Sequence, residues 1–209
     1  FNSRLGNKPV MSAVPTTDPP FGKPAHQQLP GDLVVWFLIL LEITTFALMF
    51  LGFSWIRWQD TAAFQAGQAI LHPFAGLVNT LALLTASGFV AQGVLENRQR
   101  CQRRAALWLG AGIGAAMVYV VVKCWEYWQL GSAGYGLHGE QFFMAYFLIT
   151  GFHLLHVLLG IGFLVVMMRK LWRNGYGPDN ALGLESGATY WHMVDLIWVI
   201  LFPIVYVIH

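Results

Sequence analysis

The sequence predicts an all-α integral membrane protein, a bundle of five transmembrane helices, and three observations carry that prediction. Of 209 residues, 56% are hydrophobic, 15% aromatic and only 11% charged, against roughly 25% charged in soluble domains. Five apolar stretches, at about 33–56, 73–95, 105–128, 141–168 and 187–208, are each long enough to cross a hydrocarbon layer of ~30 Å. The charges gather in the connections between them. A formal net charge of +2 gives no ground for nucleic-acid binding, and where Lys and Arg fall matters more than their sum.

Taken in order, residues 1–32 carry Pro9, Pro15, Pro19, Pro20, Pro24 and Pro30, which forbid a helix and leave little apolar surface to bury, so they read as an extended tail before a transmembrane domain at 33–209. The first span has Trp36 near one end and Trp55 and Trp58 near the other, as interfacial anchors. A connector from Arg57 to His72 leads to Pro73, which suits the first turn of the second span. The loop from Glu96 to Arg104 holds four arginines against one glutamate. The third span opens with Gly110xxxGly114, a spacing that lets a neighbouring backbone approach closely. The fourth carries His153 and His156 mid-span and ends at Arg169, Lys170 and Arg173; the fifth contains His192, Asp195 and a kink at Pro203.

Alternating sides then test the positive-inside rule. Arg4, Lys8, Lys23, the four loop arginines, Arg169, Lys170 and Arg173 fall on one side, Arg57 alone on the other, and Lys123 inside the membrane. This bias places the N-terminus in the cytoplasm and the C-terminus outside. Cys101 and Cys124 lie at opposite ends of the third span, so a disulfide between them is not expected, and no CxxC or Cys/His metal spacing occurs.

The intramembrane polar set is Glu42, Lys123, Glu126, His153, His156, His192 and Asp195. Ionisable groups at such depth mark functional sites by default, yet each also has a plain structural reading in which polar partners pin helix packing. Nine residues at ~1.5 Å each put Glu42 about 14 Å below Leu33, where a carboxyl stays protonated unless a cation or water sits beside it. His153 and His156, three apart, share a helix face. Lys123 and Glu126, also three apart, read as a snorkelling, partly solvated pair near the interface. His153 or His156 with His192 could hold haem between two helices, although the spacing His-x-x-His is weak evidence. No Gly-rich nucleotide loop or nucleophile elbow is present, so no catalytic constellation is predicted.

Two longer patterns carry a resemblance. Thr150-Gly151-Phe152-His153-x-x-His156-Val157-x-x-Gly160 and Tyr190-Trp191-His192-x-Val194-Asp195-x-x-Trp198 are joined, in order, by Glu42, by Leu77-Val78-Asn79-Thr80 with Ala86-Ser87-Gly88, and by Glu126-Tyr127. Across all five spans the chain resembles subunit III of the haem–copper oxidases, the cytochrome c oxidase subunit 3-like family. The resemblance implies a non-catalytic accessory subunit with no cofactor of its own. Its partner would be a catalytic subunit holding haem and copper or iron, in the inner membrane of a bacterium. It further implies bound phospholipid, support of proton uptake and gas access, and a hydrogen bond from Glu42 to a fourth-span histidine.

The chain departs from the seven-helix members by lacking their first two helices. Gly52-Phe53-Ser54-Trp55 does not match the histidine-bearing lipid contact of the long forms. The opening Leu29-Pro30-Gly31-Asp32 and the short chain are most similar to the branch associated with nitric-oxide reductases. Two rival readings are a stand-alone membrane haem or electron-transfer protein using His153, His156 and His192, and a proton-coupled transporter with Glu42 as carrier. Missing inverted repeats and paired broken helices disfavour the transporter.

Overall fold

A computed structural model describes residues 33–136, 140–173, 175–176 and 181–208; the tail predicted for residues 1–32 lies outside the described residues. The described chain is helical: α1 (Leu33–Gln59), α2 (Thr61–Ile70), α3 (Pro73–Arg98), α4 (Gln102–Ser132), α5 (Gln141–Trp172) and α6 (Leu182–Phe202), with α6 running into a π-helical turn at Pro203–Val207. Five of these, α1, α3, α4, α5 and α6 with its π turn, are long and apolar enough to cross a membrane.

Each helix outruns the apolar stretch that announced it, because hydropathy marks the lipid slab and not the end of the hydrogen-bond ladder. Charged ends such as Glu96 to Arg98 and Arg169 to Lys170 stay helical beyond it. The expected connector after Arg57 is largely the helix α2. Asp60 caps it by accepting a hydrogen bond from the Ala63 N–H at 3.0 Å, and Phe64, Gly67 and Gln68 turn inward. Phe64 lies edge-on to both Phe53 and Phe142, with centroids 4.8 Å away in each case, which fastens α2 across α1 and α5.

α3 and α4 pack antiparallel along small residues, but not through the predicted Gly110xxxGly114. Gly114 faces open space and Gly110 meets only the Met168 sulfur. Gly112 makes the close approach, since a Cβ there would sit 3.3 Å from the Ala86 carbonyl oxygen. The spacing was sound as a rule and one turn face out in phase, because sequence alone does not say which stripe of a glycine-rich helix meets its neighbour. α6 is the centre of the bundle and contacts α1, α3 and α5. Its apolar window is 56% buried, whereas that of α1 is 11% buried. Trp55, Trp58 and Trp128 project outward at the end where α2 lies, and Trp172 does so at the arginine-rich end.

The expected kink at Pro203 takes the form of the π turn. Proline cannot donate to the helix ladder, which leaves a carbonyl about one turn before it without its donor. The Gln68 amide of α2 meets carbonyls of the final turn, where the ladder runs out, donating to the Val205 oxygen at 2.9 Å and lying 3.2 Å from that of Ile208.

Candidate functional site

The predicted polar set does not form one cluster; it divides into three groups. The first joins α1 to α5. Glu42 Oε2 stands 2.8 Å from His156 Nε2, while His156 Nδ1 lies 2.7 Å from the Phe152 carbonyl oxygen one turn earlier. A carbonyl only accepts, so Nδ1 carries a proton, and Nε2 and the carboxyl share one more between them. Written as acid and imidazole or as carboxylate and imidazolium, the pair has no net charge. That neutrality explains how a carboxyl 18% exposed sits on a lipid-facing helix.

One turn back on α5, His153 is fully buried with both nitrogens engaged. Nε2 donates to the Val194 carbonyl at 3.1 Å, which leaves Nδ1 to accept from the Tyr119 hydroxyl at 2.9 Å. His153 is therefore a neutral imidazole of defined tautomer. Phe46 of α1 closes over both rings, 6.2 Å from His153 and 5.4 Å from His156. Neither histidine has a ring nitrogen left for iron, so the haem reading loses two of its three ligands.

The second group corrects the snorkelling pair. Lys123 is wholly buried and Glu126 is 2% exposed. Lys123 Nζ donates to Glu126 Oε2 at 2.9 Å, to Tyr146 OH at 2.9 Å and to Tyr206 OH at 2.7 Å, which uses all three ammonium hydrogens. Tyr206 OH in turn donates to Glu126, 2.8 and 2.9 Å from its two oxygens. The rings of Tyr127, Tyr146, Trp198 and Tyr206 stand 4.9–5.4 Å from the ammonium, within cation–π range. Lys123 turns inward because α5, α6 and the π turn offer it acceptors and ring faces that lipid does not. Tyr146 and Tyr206 were missed in the sequence because they lie 23 and 83 residues from Lys123.

The third group lies between α3 and α6, where Ser87 Oγ meets His192 Nδ1 at 2.5 Å and also faces the Asp195 carboxyl. Trp198 ties the groups together. Its ring lies 5.1 Å from that of His153 and 5.0 Å from that of Tyr119, and its indole N–H donates to Thr80 at 3.0 Å. At the arginine-rich end, Arg98 pairs with Glu185 at 2.9 Å, and Lys170 lies over the Tyr176 ring at 4.2 Å. Burial raises the Tyr176 phenol above its ordinary pKa. Among the described residues no three His, Cys, Asp or Glu side chains gather as metal ligands.

Fold and interior together define a multi-pass membrane protein whose spans are joined by buried polar pairs, with some buried polar atoms, among them those of the Asn79 side chain and one Asp195 oxygen, left without a hydrogen-bond partner. The family model described as cytochrome c oxidase subunit III matches residues 33–209, and the chain belongs to that family. Similar curated proteins include the cytochrome bo(3) ubiquinol oxidase subunit 3 of Pseudomonas aeruginosa, 25% identical over 82% of this chain and 81% of that one. The cytochrome c oxidase subunit 3 of Latimeria chalumnae is 30% identical over 87% of this chain and 72% of its own length. The heme-copper oxidase subunit I+III of Aeropyrum pernix is 27% identical over 88% of this chain, which spans only 24% of that longer protein.

Proposed function

We propose that this chain is the accessory, non-catalytic subunit III of a bacterial respiratory haem–copper oxidase, packed beside a catalytic subunit that carries the haem and metal chemistry. The observation that carries the reading is the family match over the whole helical bundle. The Aeropyrum relative, named as subunits I and III in one polypeptide, supports a catalytic subunit as the direct neighbour. A quinol oxidase, a cytochrome c oxidase or a nitric-oxide reductase complex is the assembly in question, the first two being the kinds of complex that the Pseudomonas and Latimeria relatives are named for. The arginine-rich end faces the cytoplasm of the inner membrane and the α2 end faces outward, following the distribution of Lys and Arg. Within the complex the chain binds phospholipid and supports proton uptake or gas access, with the Glu42–His156 pair as the group that can rearrange a proton without changing its net charge.

The deciding experiment is isolation from native membranes in mild detergent, with a reduced-minus-oxidised spectrum and identification of the co-purifying subunits. A haem-containing partner, and a colourless chain once it is removed, is the expected result. A chain that comes alone and keeps haem bands overturns the reading. In the assembled complex, Glu42→Gln is expected to leave assembly intact and shorten turnover lifetime or slow proton uptake; if neither changes, Glu42 is a packing residue only.

A further inference from the structure

Among the described residues Tyr119 is the one buried phenol that donates to an imidazole. Its hydroxyl lies 2.9 Å from His153 Nδ1, which accepts because Nε2 spends its hydrogen on the Val194 carbonyl at 3.1 Å. Both side chains are fully buried, so no water competes for the shared hydrogen. The other interior phenols are placed differently. Tyr146 and Tyr206 accept from the Lys123 ammonium, whose field opposes removal of an electron. Tyr206 also donates to Glu126, but a proton delivered there would leave the buried ammonium without its counter-charge. Tyr127 donates to the Thr150 hydroxyl, which has little basicity, and the Tyr190 hydroxyl has no partner.

We propose that Tyr119 is a reversible one-electron redox centre, a phenol that gives up an electron through Trp198 while its proton moves to His153. Removing an electron from a phenol makes its hydrogen strongly acidic, so the electron leaves readily only where a base stands ready for the proton. In this step Tyr119 loses one electron and its Oη–H bond breaks, while an N–H bond forms at His153 Nδ1. The products are a neutral phenoxyl radical and an imidazolium, and the oxidant is reduced by one electron. The imidazolium keeps its Nε2–H on the Val194 carbonyl, now as a charge-assisted bond, and lies 5.1 Å from the Trp198 ring, within cation–π range. When a one-electron donor of the quinol class returns the electron, the proton moves back along the same hydrogen bond, and nothing is exchanged with the surroundings. Trp198 is the route in. Its ring stands edge-on to that of Tyr119 at 5.0 Å, and it is one of four rings, with Tyr127, Tyr146 and Tyr206, that converge on Lys123. Tyr127 is half-buried and brings this set of rings to the rim of the bundle. The arrangement suits a sink for strong one-electron oxidants of the class that oxygen reduction generates. Only that source of oxidant rests on the accessory-subunit reading; the proton acceptor is built into the chain itself.

The test is electron paramagnetic resonance of the full chain in detergent, oxidised by photogenerated tris(bipyridine)ruthenium(III) and frozen at once. A neutral tyrosyl radical is expected, magnetically coupled to a nitrogen of isotopically labelled histidine. Tyr119→Phe is expected to abolish that signal and Tyr190→Phe to leave it unchanged. His153→Gln keeps a donor for the Val194 carbonyl but removes the base, and is expected to lose the radical although Tyr119 is still present. Should these variants fold poorly, a fluorotyrosine incorporated in place of Tyr119 keeps the packing and is expected to add fluorine splitting to the signal. A chain that yields no tyrosyl radical, or a radical that survives Tyr119→Phe, lacks the histidine coupling or shows no fluorine splitting, overturns the proposal. The measurement is made on the chain alone, so its failure is distinguishable from failure of the accessory-subunit reading, which co-purification decides.

Discussion

The bundle holds two buried acid–base pairs built from similar chemistry, and they solve the problem of charge in a membrane in opposite ways. Glu42 and His156 sit on different helices, share a single proton and are neutral in either form. Lys123 and Glu126 sit three apart on α4 as an ion pair, and every hydrogen of the ammonium finds an acceptor among Glu126, Tyr146 and Tyr206. The first pair tolerates partial exposure because it has no charge to solvate. The second tolerates complete burial because its charges are matched atom for atom and surrounded by aromatic faces. The Glu42–His156 bond also ties down the least buried span, α1, whereas the Lys123 cage binds α4 to α5 and to the π turn after α6.

The sharpest way to break the comparison is to remove one member of each pair. Lys123→Met strands Glu126 with only Tyr206 beside it, and a loss of about 3–5 kcal/mol is expected, as for other buried pairs broken on one side. Lys123→Met with Glu126→Gln removes both charges and is expected to recover much of that loss, measured by thermal or denaturant unfolding in detergent. A double variant as unstable as the single one shows that the tyrosine network, and not the uncompensated carboxylate, sets the cost. Glu42→Leu is expected to be milder, about 1–3 kcal/mol, because it leaves one imidazole nitrogen unsatisfied and no stranded charge. Glu42→Gln keeps a donor for His156 Nε2 and is expected to fall within about 1 kcal/mol of the parent. Hydrogen exchange resolved by helix separates the pairs further: Glu42→Leu accelerates exchange in α1 alone, whereas Lys123→Met accelerates it in α4, α5 and α6 together.

Why one pair was legible in the sequence and the other was misread follows from the same difference. The five spans rest on composition and need no tertiary information, and Glu42 announces itself as a lone acid in an apolar run. Its partner on α5 was named only through the resemblance to a family. Lys123 and Glu126 read in the sequence as a partly solvated snorkelling pair because their spacing and closeness to an interface fit that arrangement equally well. What turns them inward is a pair of tyrosines on distant segments, one of them on a π turn whose Val205 carbonyl accepts from Gln68 of α2. Hydropathy reports α2 as a connector, since ten residues with a single inward face have no membrane-length signal. Likewise His153 and His156 invited ligand roles that close once their acceptors, the Val194 and Phe152 carbonyls, are known.

Between the two pairs stands Tyr119, whose hydroxyl fixes the His153 tautomer. Tyr119→Phe leaves His153 Nδ1 without its donor, and a cost of about 1–3 kcal/mol is expected by unfolding measurements, as for any buried acceptor left unmet. Either the imidazole stays in place and bears that cost, or its tautomer switches and the Val194 contact is lost. Nitrogen NMR of labelled histidine reads which occurs: Nε2–H retained marks the first and Nδ1–H the second.

The exposed pair at the arginine-rich end gives the lower limit of the comparison. Arg98 and Glu185 meet at 2.9 Å, as closely as Lys123 and Glu126, and they too join two helices, the end of α3 to the first turn of α6. Their guanidinium is 61% exposed, so water and salt already satisfy most of what the partner offers. Arg98→Ala is accordingly expected to cost no more than about 1 kcal/mol, and less as salt is raised across the Debye range. Lys123→Met should show no comparable salt dependence, because counter-ions do not reach the cage. Equal distances with unequal energies would locate the strength of the inner pair in its desolvation and its tyrosine partners. A salt-insensitive loss of several kcal/mol at Arg98 would instead show that this pair, too, is closed off from solvent in the membrane-embedded state.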